Sequence, residues 1–300
     1  VVGRPPQEDT SFGALIHAMT GDAIKHEIPG VKQIHAVDAA GVHPLLLAVG
    51  SERYTPYLPT QRPAELLTIA NHILGTGQLS LAKYLFITAD PAQQLSTHNI
   101  EEYFRYVLER IHTERDLHFY TQTTMDTLDY SGTGINSGSK VVFAAYGEKK
   151  RELDKSLSPA FSAINDFAQC KLIMPGIIAI QTGKYTNEQD RDEDLHRLNH
   201  RLKDSDLSGT PLIIWTDDAS FTAANLRNFL WVAFTRSNPS HDIHGIQDFT
   251  QNKHWGCKGP VIIDARIKPH HAPAVELDPS VVKKTDKLFV KGGSLEGIIP

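Results

Sequence analysis

Three hundred residues, 40% hydrophobic and 22% charged, make an ordinary globular composition that excludes disorder and fibre and suffices for two domains or lobes. A formal charge of -5 without a long basic run argues against nucleic acid as the main partner. Two cysteines, Cys170 and Cys257, are too few for a disulfide framework, no apolar run approaches the ~18 residues of a membrane span, and no signal peptide is visible, so a reducing cytoplasm is the expected setting.

The chain begins Val1-Val2-Gly3-Arg4-Pro5-Pro6, which reads as a processed protein or a piece of a longer one. From Asp9 to Ile28 the residues Phe12, Leu15, Ile16, Met19, Ala23 and Ile24 recur at helical spacing and predict a helix. Two short β-like runs follow, Val31–Val37 and Leu45–Val49, separated by the turn-prone Ala40-Gly41. Ala64, Leu67, Ala70, Ile73 and Leu74 mark a second amphipathic helix ending near Gly75 and Gly77. Lys83–Thr88 is a continuous apolar strand, which suits a strand covered on both faces. Asn99-Ile-Glu-Glu102 resembles a capping box opening a helix with the stripe Ile100, Phe104, Val107, Leu108 and Ile111, and Leu117–Thr121 is the next expected strand. Further on, the acidic stretch Glu188–Asp194 reads as a solvated helix start.

The pattern then recurs. Leu45–Val49 is echoed by Gly176–Ile180 (offset 179 − 48 = 131), Phe86-Ile87 and Asp90 by Ile213-Ile214 and Asp217 (offset 217 − 90 = 127), and the helix Asn99–Arg110 by Asn225–Arg236 (offset 126). Arg110-x5-Asp116 matches Arg236-x5-Asp242, and Gly138-Ser-Lys140 matches Gly256-Cys-Lys258 at an offset of 118. Five elements in one order at slowly drifting offsets indicate a duplicated unit with loop insertions and deletions. Alternating strands and helices give an α/β class: two tandem similar units, each a mostly parallel or mixed sheet with one face under its helices, packed as lobes about a pseudo-two-fold.

Several segments carry possible chemistry. Asp90 and Asp217-Asp218 sit at strand ends, where ligand sites of open α/β sheets lie, but the same positions suit helix and turn capping. Ser131–Lys140 is glycine-rich and ends in lysine; it is read either as a flexible loop with a surface lysine or as an anion or cofactor contact, and it lacks the ending of a P-loop. His241, His244, His254 and Cys257, with His270-His271 beyond, are metal-ligand types without the usual paired spacing, and His254–Cys257 reads as a turn. Neither a nucleophile elbow nor a G-x-G-x-x-G after a strand is present in the sequence. At the start, Arg4 is suited to clamp a carboxylate while Glu8 and Asp9 stand at a helix N-terminus, where capping alone also accounts for them.

Gly3-Arg4-Pro5-Pro6-Gln7-Glu8-Asp9 resembles the Gly-Arg-Pro-Pro segment of the UbiD-type decarboxylases, the 3-octaprenyl-4-hydroxybenzoate carboxy-lyases and their relatives. Thr124-Met-Asp126-Thr-Leu128-Asp129-Tyr130 running to Gly138-Ser139-Lys140 is similar to that family's Thr-x-x-Asp-x-Leu-Asp-Phe and Gly-Ser-Lys stretch. Trp231-Val-Ala233-Phe-Thr235-Arg236-Ser-Asn-Pro239-Ser-His-Asp242 resembles its Trp-Ala-x-x-Thr-Arg-x-x-Pro-x-x-Asp helix and exit. The resemblance implies reversible, non-oxidative decarboxylation of an aromatic or unsaturated acid by a homo-oligomer holding prenylated FMN and a divalent metal, with quinone biosynthesis as one setting for it.

It also implies that the catalytic arginine and glutamates and the metal ligands lie on a split barrel upstream of Val1, so that no catalytic or metal-binding residue and no bound cofactor are expected in this piece. Arg4, Gln7, Glu8, Asp9 and Lys140 are then the candidate rim residues toward substrate and cofactor. Residues 1–30 would connect to the barrel, 31–150 form the first unit, and 151–300 the second with a C-terminal tail. The second copy departs from the family, whose typical members have one such unit. An assembly module without catalysis of its own is the alternative reading.

Overall fold

A computed structural model describes residues 24, 26–41, 43–54, 57–162, 164, 168–272 and 277–298. The helix expected over 9–28 falls outside them except at its end, where residues 24, 26 and 27 are helical. The strands are β1 Val31–Ala36, β2 Leu45–Gly50, β3 Tyr84–Ala89, β4 Leu117–Thr123, β5 Gly138–Ala145, β6 Gln169–Met174, β7 Ile177–Gln181, β8 Leu212–Thr216, β9 Ile243–Gly245, β10 Asp248–Gln251, β11 His254–Cys257 and β12 Val261–Asp264. The helices are α1 Glu65–Gly75, α2 Ile100–Arg110, α3 Pro159–Ser162, α4 Glu188–Leu202, α5 Ala219–Thr222, α6 Leu226–Thr235, α7 Pro239–Asp242 and α8 Pro279–Phe289.

The two main sheets have one topology. The first runs β1-β2-β3-β5-β4 and the second β6-β7-β8-β12-β9, and in each the inner pairings are parallel while both outer strands are antiparallel. Strands β2, β3 and β5 are buried along their whole length, as strands under two covering layers should be, with Ser139 and Lys140 as buried polar residues at the start of β5. Register fixes the equivalences: Phe86 pairs with Phe143 in the first sheet and Ile213 with Ile262 in the second. The β5 to β12 offset is therefore 262 − 143 = 119, one more than the Gly-Ser-Lys echo supposes. Gly256-Cys257-Lys258 instead ends the β10–β11 hairpin, an addition of the second unit, and a one-residue slip would turn each side chain to the wrong face.

Helix ends follow their local chemistry. Asn99 caps α2 by accepting from the Glu102 amide at 3.4 Å, but the box is not closed: the Glu102 carboxylate takes the Asn99 side-chain amide at 2.8 Å, while the Asn99 backbone N–H donates to the Ser96 carbonyl. Asn225 caps α6 through the Asn228 amide at 2.9 Å, as Asn187 caps α4 through the Asp190 amide at 3.0 Å. The acidic run beginning at Glu188 is thus the exposed first turns of α4.

The two units share one core instead of forming separate lobes. Leu47, Phe86, Val141 and Phe143 from the first sheet pack with α2 residues Phe104, Val107 and Leu108, and continue into α6 residues Phe229, Leu230 and Phe234 and second-sheet residues Ile177, Ile214 and Ile263. The opposite face of the first sheet is covered by α1 through Leu66, Ile69 and Ile73, and that of the second by α4 through Leu198 and Leu202. Both faces of each sheet are therefore covered, with α2 and α6 between the sheets. Considered by itself, the stretch 277–298 holds α8, whose side chains are all at least partly exposed.

Candidate functional site

Two of the segments singled out by their family resemblance, 124–140 and 231–242, come together in one buried polar seam. Lys83 enters β3 with its side chain fully buried, and its ammonium donates to Ser131 Oγ at 2.7 Å and to the Ser237 carbonyl at 2.8 Å while pairing with Asp129 at 2.8 Å. Asp129 also accepts from the amide and hydroxyl of Ser131, which folds the 126–131 loop over the lysine. Tyr84 and Ser237 join their hydroxyls at 2.7 Å, and Ser237 Oγ donates back to the Ala233 carbonyl at 2.6 Å. Ser139 bonds Asn238 Oδ1 and receives the Ser240 amide at 2.8 Å. The Ser237 carbonyl lies two residues beyond Thr235, the last residue of α6, so the lysine satisfies a backbone acceptor of the turn that leaves the helix. Burial draws the Lys83 ammonium below the usual lysine range, against the pull of Asp129.

A second ionic run continues on the exit of β12. Asp242 Oδ2 accepts from the Asn238 amide at 2.6 Å and Oδ1 pairs with Lys268 at 3.2 Å. The first-unit counterpart, Asp116, accepts from the His112 amide at 2.8 Å in the same i−4 manner. Asp264 holds Arg266 through two bonds of 2.9 and 2.8 Å, and the guanidinium lies 3.7 Å over the Trp215 ring. Burial alone would raise the Asp264 carboxyl, but the Arg266 bond and the charges of Lys268 and Arg266 outweigh it and hold the group below the usual carboxylate range. Asp242, without a bidentate partner, is raised by burial.

The remaining candidates separate. Asp90 accepts three loop amides, those of Ala92, Gln94 and Leu95; Asp218 caps α5 through the Phe221 amide; and Asp217 accepts the Ile267 amide at 2.7 Å beside Arg236. All three serve the backbone. Lys140 is neither a surface lysine nor on a flexible loop: it lies on β5, 3% exposed, with its ammonium on the Ser80 and Ala82 carbonyls, and burial draws it down to about 8. Within the glycine-rich stretch a Cβ on Gly132 would collide with the Ser137 carbonyl, so that glycine is there for close packing. His254–Cys257 forms β11 instead of a turn, while His241 bonds Asn238 and Ser240. Among the described residues no three or more His, Cys, Asp or Glu side chains gather where they could hold a metal. Arg4, Gln7, Glu8 and Asp9 lie outside the described residues.

Sequence reasoning misses Lys83, Ser237 and Lys268 as members of this seam. The one local signal of the two lysines is a cation bordering an otherwise apolar run. Chemically the seam is saturated, since Lys83 has three acceptors and each acid has a donor, so it orders the two units and offers no free base or nucleophile.

Buried histidines give the fold an acid limit. Burial pushes His244 down to about 4, and His112 and His271 to about 4 and 3. The unfolded chain takes up these protons near pH 6.5 whereas the folded chain does not until about pH 3–4, so stability is full above pH 6.5 and falls as pH drops through that window. Thermal melts between pH 7 and 4 should show Tm falling, with a shallower slope in His244→Leu; an unchanged slope would remove His244 from the account.

Residues 10–145 match the model of the 3-octaprenyl-4-hydroxybenzoate carboxy-lyase C-terminal domain. The chain is 32% identical to a 4-hydroxybenzoate decarboxylase subunit of Chlamydia pneumoniae over 96% of its own length and 45% of that protein. It is 33% identical to an uncharacterised protein of Chlamydia trachomatis serovar D over 93% of this chain and 44% of the other. The chain thus spans a little under half the length of these relatives, and the likeness runs through both units. Among solved structures, a vanillic acid decarboxylase of Sedimentibacter hydroxybenzoicus has a TM-score of 0.34 at 16% identity, over 59% of this chain and 30% of that one.

Proposed function

This chain belongs to the UbiD family of carboxy-lyases, and from that premise we propose that it is the C-terminal region of a non-oxidative decarboxylase acting on an aromatic or unsaturated acid of the 4-hydroxybenzoate kind. The observation that carries the reading is the 32% identity, across both units, to a relative named for 4-hydroxybenzoate decarboxylation. The convergence of the family-like segments at Asp129, Ser139 and Ser237–Asp242 on one seam supports it. A quinone-biosynthetic setting follows from the same kinship.

In this proposal residues 1–30 lead from an upstream split barrel, 31–150 and 151–300 are the two units, and the working protein is a homo-oligomer. Prenylated FMN, with a divalent metal, would supply the electron sink for decarboxylation. The described residues do not fit that group: the Lys140 ammonium and the Ser139 hydroxyl are already occupied, and the glycine-rich stretch is packed against its own backbone. No step is therefore assigned to them, and the proposal expects this region to be inactive alone. The rim falls to Arg4, Gln7, Glu8 and Asp9, with Arg4 suited to orient the substrate carboxylate.

The full-length protein loaded with prenylated FMN should exchange labelled bicarbonate into its acid substrate, and Arg4→Ala should lower kcat/KM by roughly 100-fold, the size of losing one preorganised donor. Absence of exchange across aromatic and enoic acids, together with absence of bound flavin, would overturn the enzymatic reading. The second reading is an assembly module without catalysis of its own. A stable oligomer in light scattering, combined with a catalytically silent full-length protein, would select it.

A further inference from the structure

The β10–β11 hairpin, absent from the first unit, is laid against the edge strand β4. The Cys257 amide donates to the Thr113 carbonyl at 3.1 Å, and Trp255 meets Phe119 edge-on at 5.5 Å. A Cβ on Gly256 would lie 2.5 Å from the Glu114 carbonyl, so glycine lets the strand approach this closely. Between hairpin and strand lies a cavity of about 500 Å3, lined among others by His118, His254, Thr121, Ser240, Asn252 and Trp255.

Two of these side chains are unfinished. The Nε2 atoms of His118 and His254 are both closed to solvent and have no hydrogen-bond partner, and their rings stand 5.4 Å apart at 55°. Leaving a buried ring nitrogen unpaired costs about 1–3 kcal/mol, and here there are two side by side. A bridging water would sit about 2.8–3.0 Å from each ring nitrogen. A bare zinc-class ion needs only about 2.0–2.1 Å, and two imidazoles sharing it at a near-tetrahedral angle have centroids about 5 Å apart.

We propose that His118 and His254 form a two-imidazole site for a borderline divalent ion of the zinc class, which pins the second unit's hairpin to the edge of the first sheet. The cavity leaves space for solvent to complete the coordination. The nearby Arg115 opposes the ion's charge. The site draws one ligand from each unit, which is why the sequence spacing around His254 does not reveal it.

The test uses the chain stripped with chelator and titrated with Zn2+ and Co2+. The expected result is saturation at one ion per chain, a rise in Tm, and zinc-dependent shifts in the ring 15N signals of His118 and His254 alone. Either His118→Gln or His254→Gln should lower affinity by more than the roughly 10–100-fold that loss of an outer-shell partner costs. His270→Gln, in the rival pair His270-His271 with rings 4.7 Å apart, should change nothing. A titration that does not saturate, 15N shifts at other histidines, or uptake lost only in His270→Gln overturns the proposal. The 15N result needs no substitution, so a variant that misfolds leaves the test intact.

Discussion

Phe234→Ala is expected to destabilise the protein by about 3–5 kcal/mol, the usual loss for deleting a fully buried phenylalanine ring. Phe234 is 0% exposed, and its ring lies 5.0 Å from that of Tyr84, 6.1 Å from Phe86, 6.2 Å from Phe104 and 5.9 Å from Phe229. Three of those partners belong to the first unit, so the α6 aromatic is as much a core residue of β3 and α2 as of its own sheet. Two things follow from this placement. The cavity cannot be closed by adjusting one unit alone, which puts the cost at the upper end of the range. Moreover, the two units should lose structure together. Urea unfolding followed by far-ultraviolet circular dichroism and by tryptophan fluorescence should give one coincident transition in the parent and in Phe234→Ala. Two separated transitions would mean that the units are independent lobes after all.

Much of this architecture is legible locally. Leu45–Val49 announces a strand, Lys83–Thr88 a strand covered on both sides, and the stripe from Ile100 to Ile111 a helix, because side-chain period reports which face is buried. The recurrence of these elements at offsets of 131, 127 and 126 survives as two sheets of one topology. Period does not report what a face is buried against. Phe104 and Phe229 sit 5.8 Å apart although 125 positions (229 − 104) separate them, and nothing local distinguishes a shared core from two separate ones. Loops are less legible. The Gly-Ser-Lys echo slips by one residue because its second copy lies in an inserted hairpin, and Lys140 passes for an open residue because glycine-rich sequence suggests flexibility where the chain is tightly packed. His118 and His254 lie 136 positions apart (254 − 118), so ligand spacing along the chain is blind to them.

The same blindness hides Lys83, and its partner furnishes the second large effect. Asp129→Asn should cost about 3–5 kcal/mol, because it leaves an ammonium uncompensated in a site that has already stripped it of water. The remaining ligands of Lys83 are the neutral Ser131 hydroxyl and Ser237 carbonyl, which solvate the charge without balancing it. The carboxamide oxygen introduced by Asp129→Asn would still accept from Ser131, so the loop turn itself is little disturbed and the loss reports charge. Removing both charges gives a sharper result. Lys83→Met combined with Asp129→Asn should recover most of the stability lost by Asp129→Asn alone, since desolvating two ions nearly offsets what their attraction returns. A double-mutant cycle in urea measures the coupling directly. Were the double variant no better than the single one, the seam would owe its stability to the hydrogen bonds converging on Ser237, and the pair would be incidental. Recovery would instead assign the pair to register: it holds the 126–131 loop, β3 and the end of α6 in one arrangement, and so fixes how the second unit seats on the first.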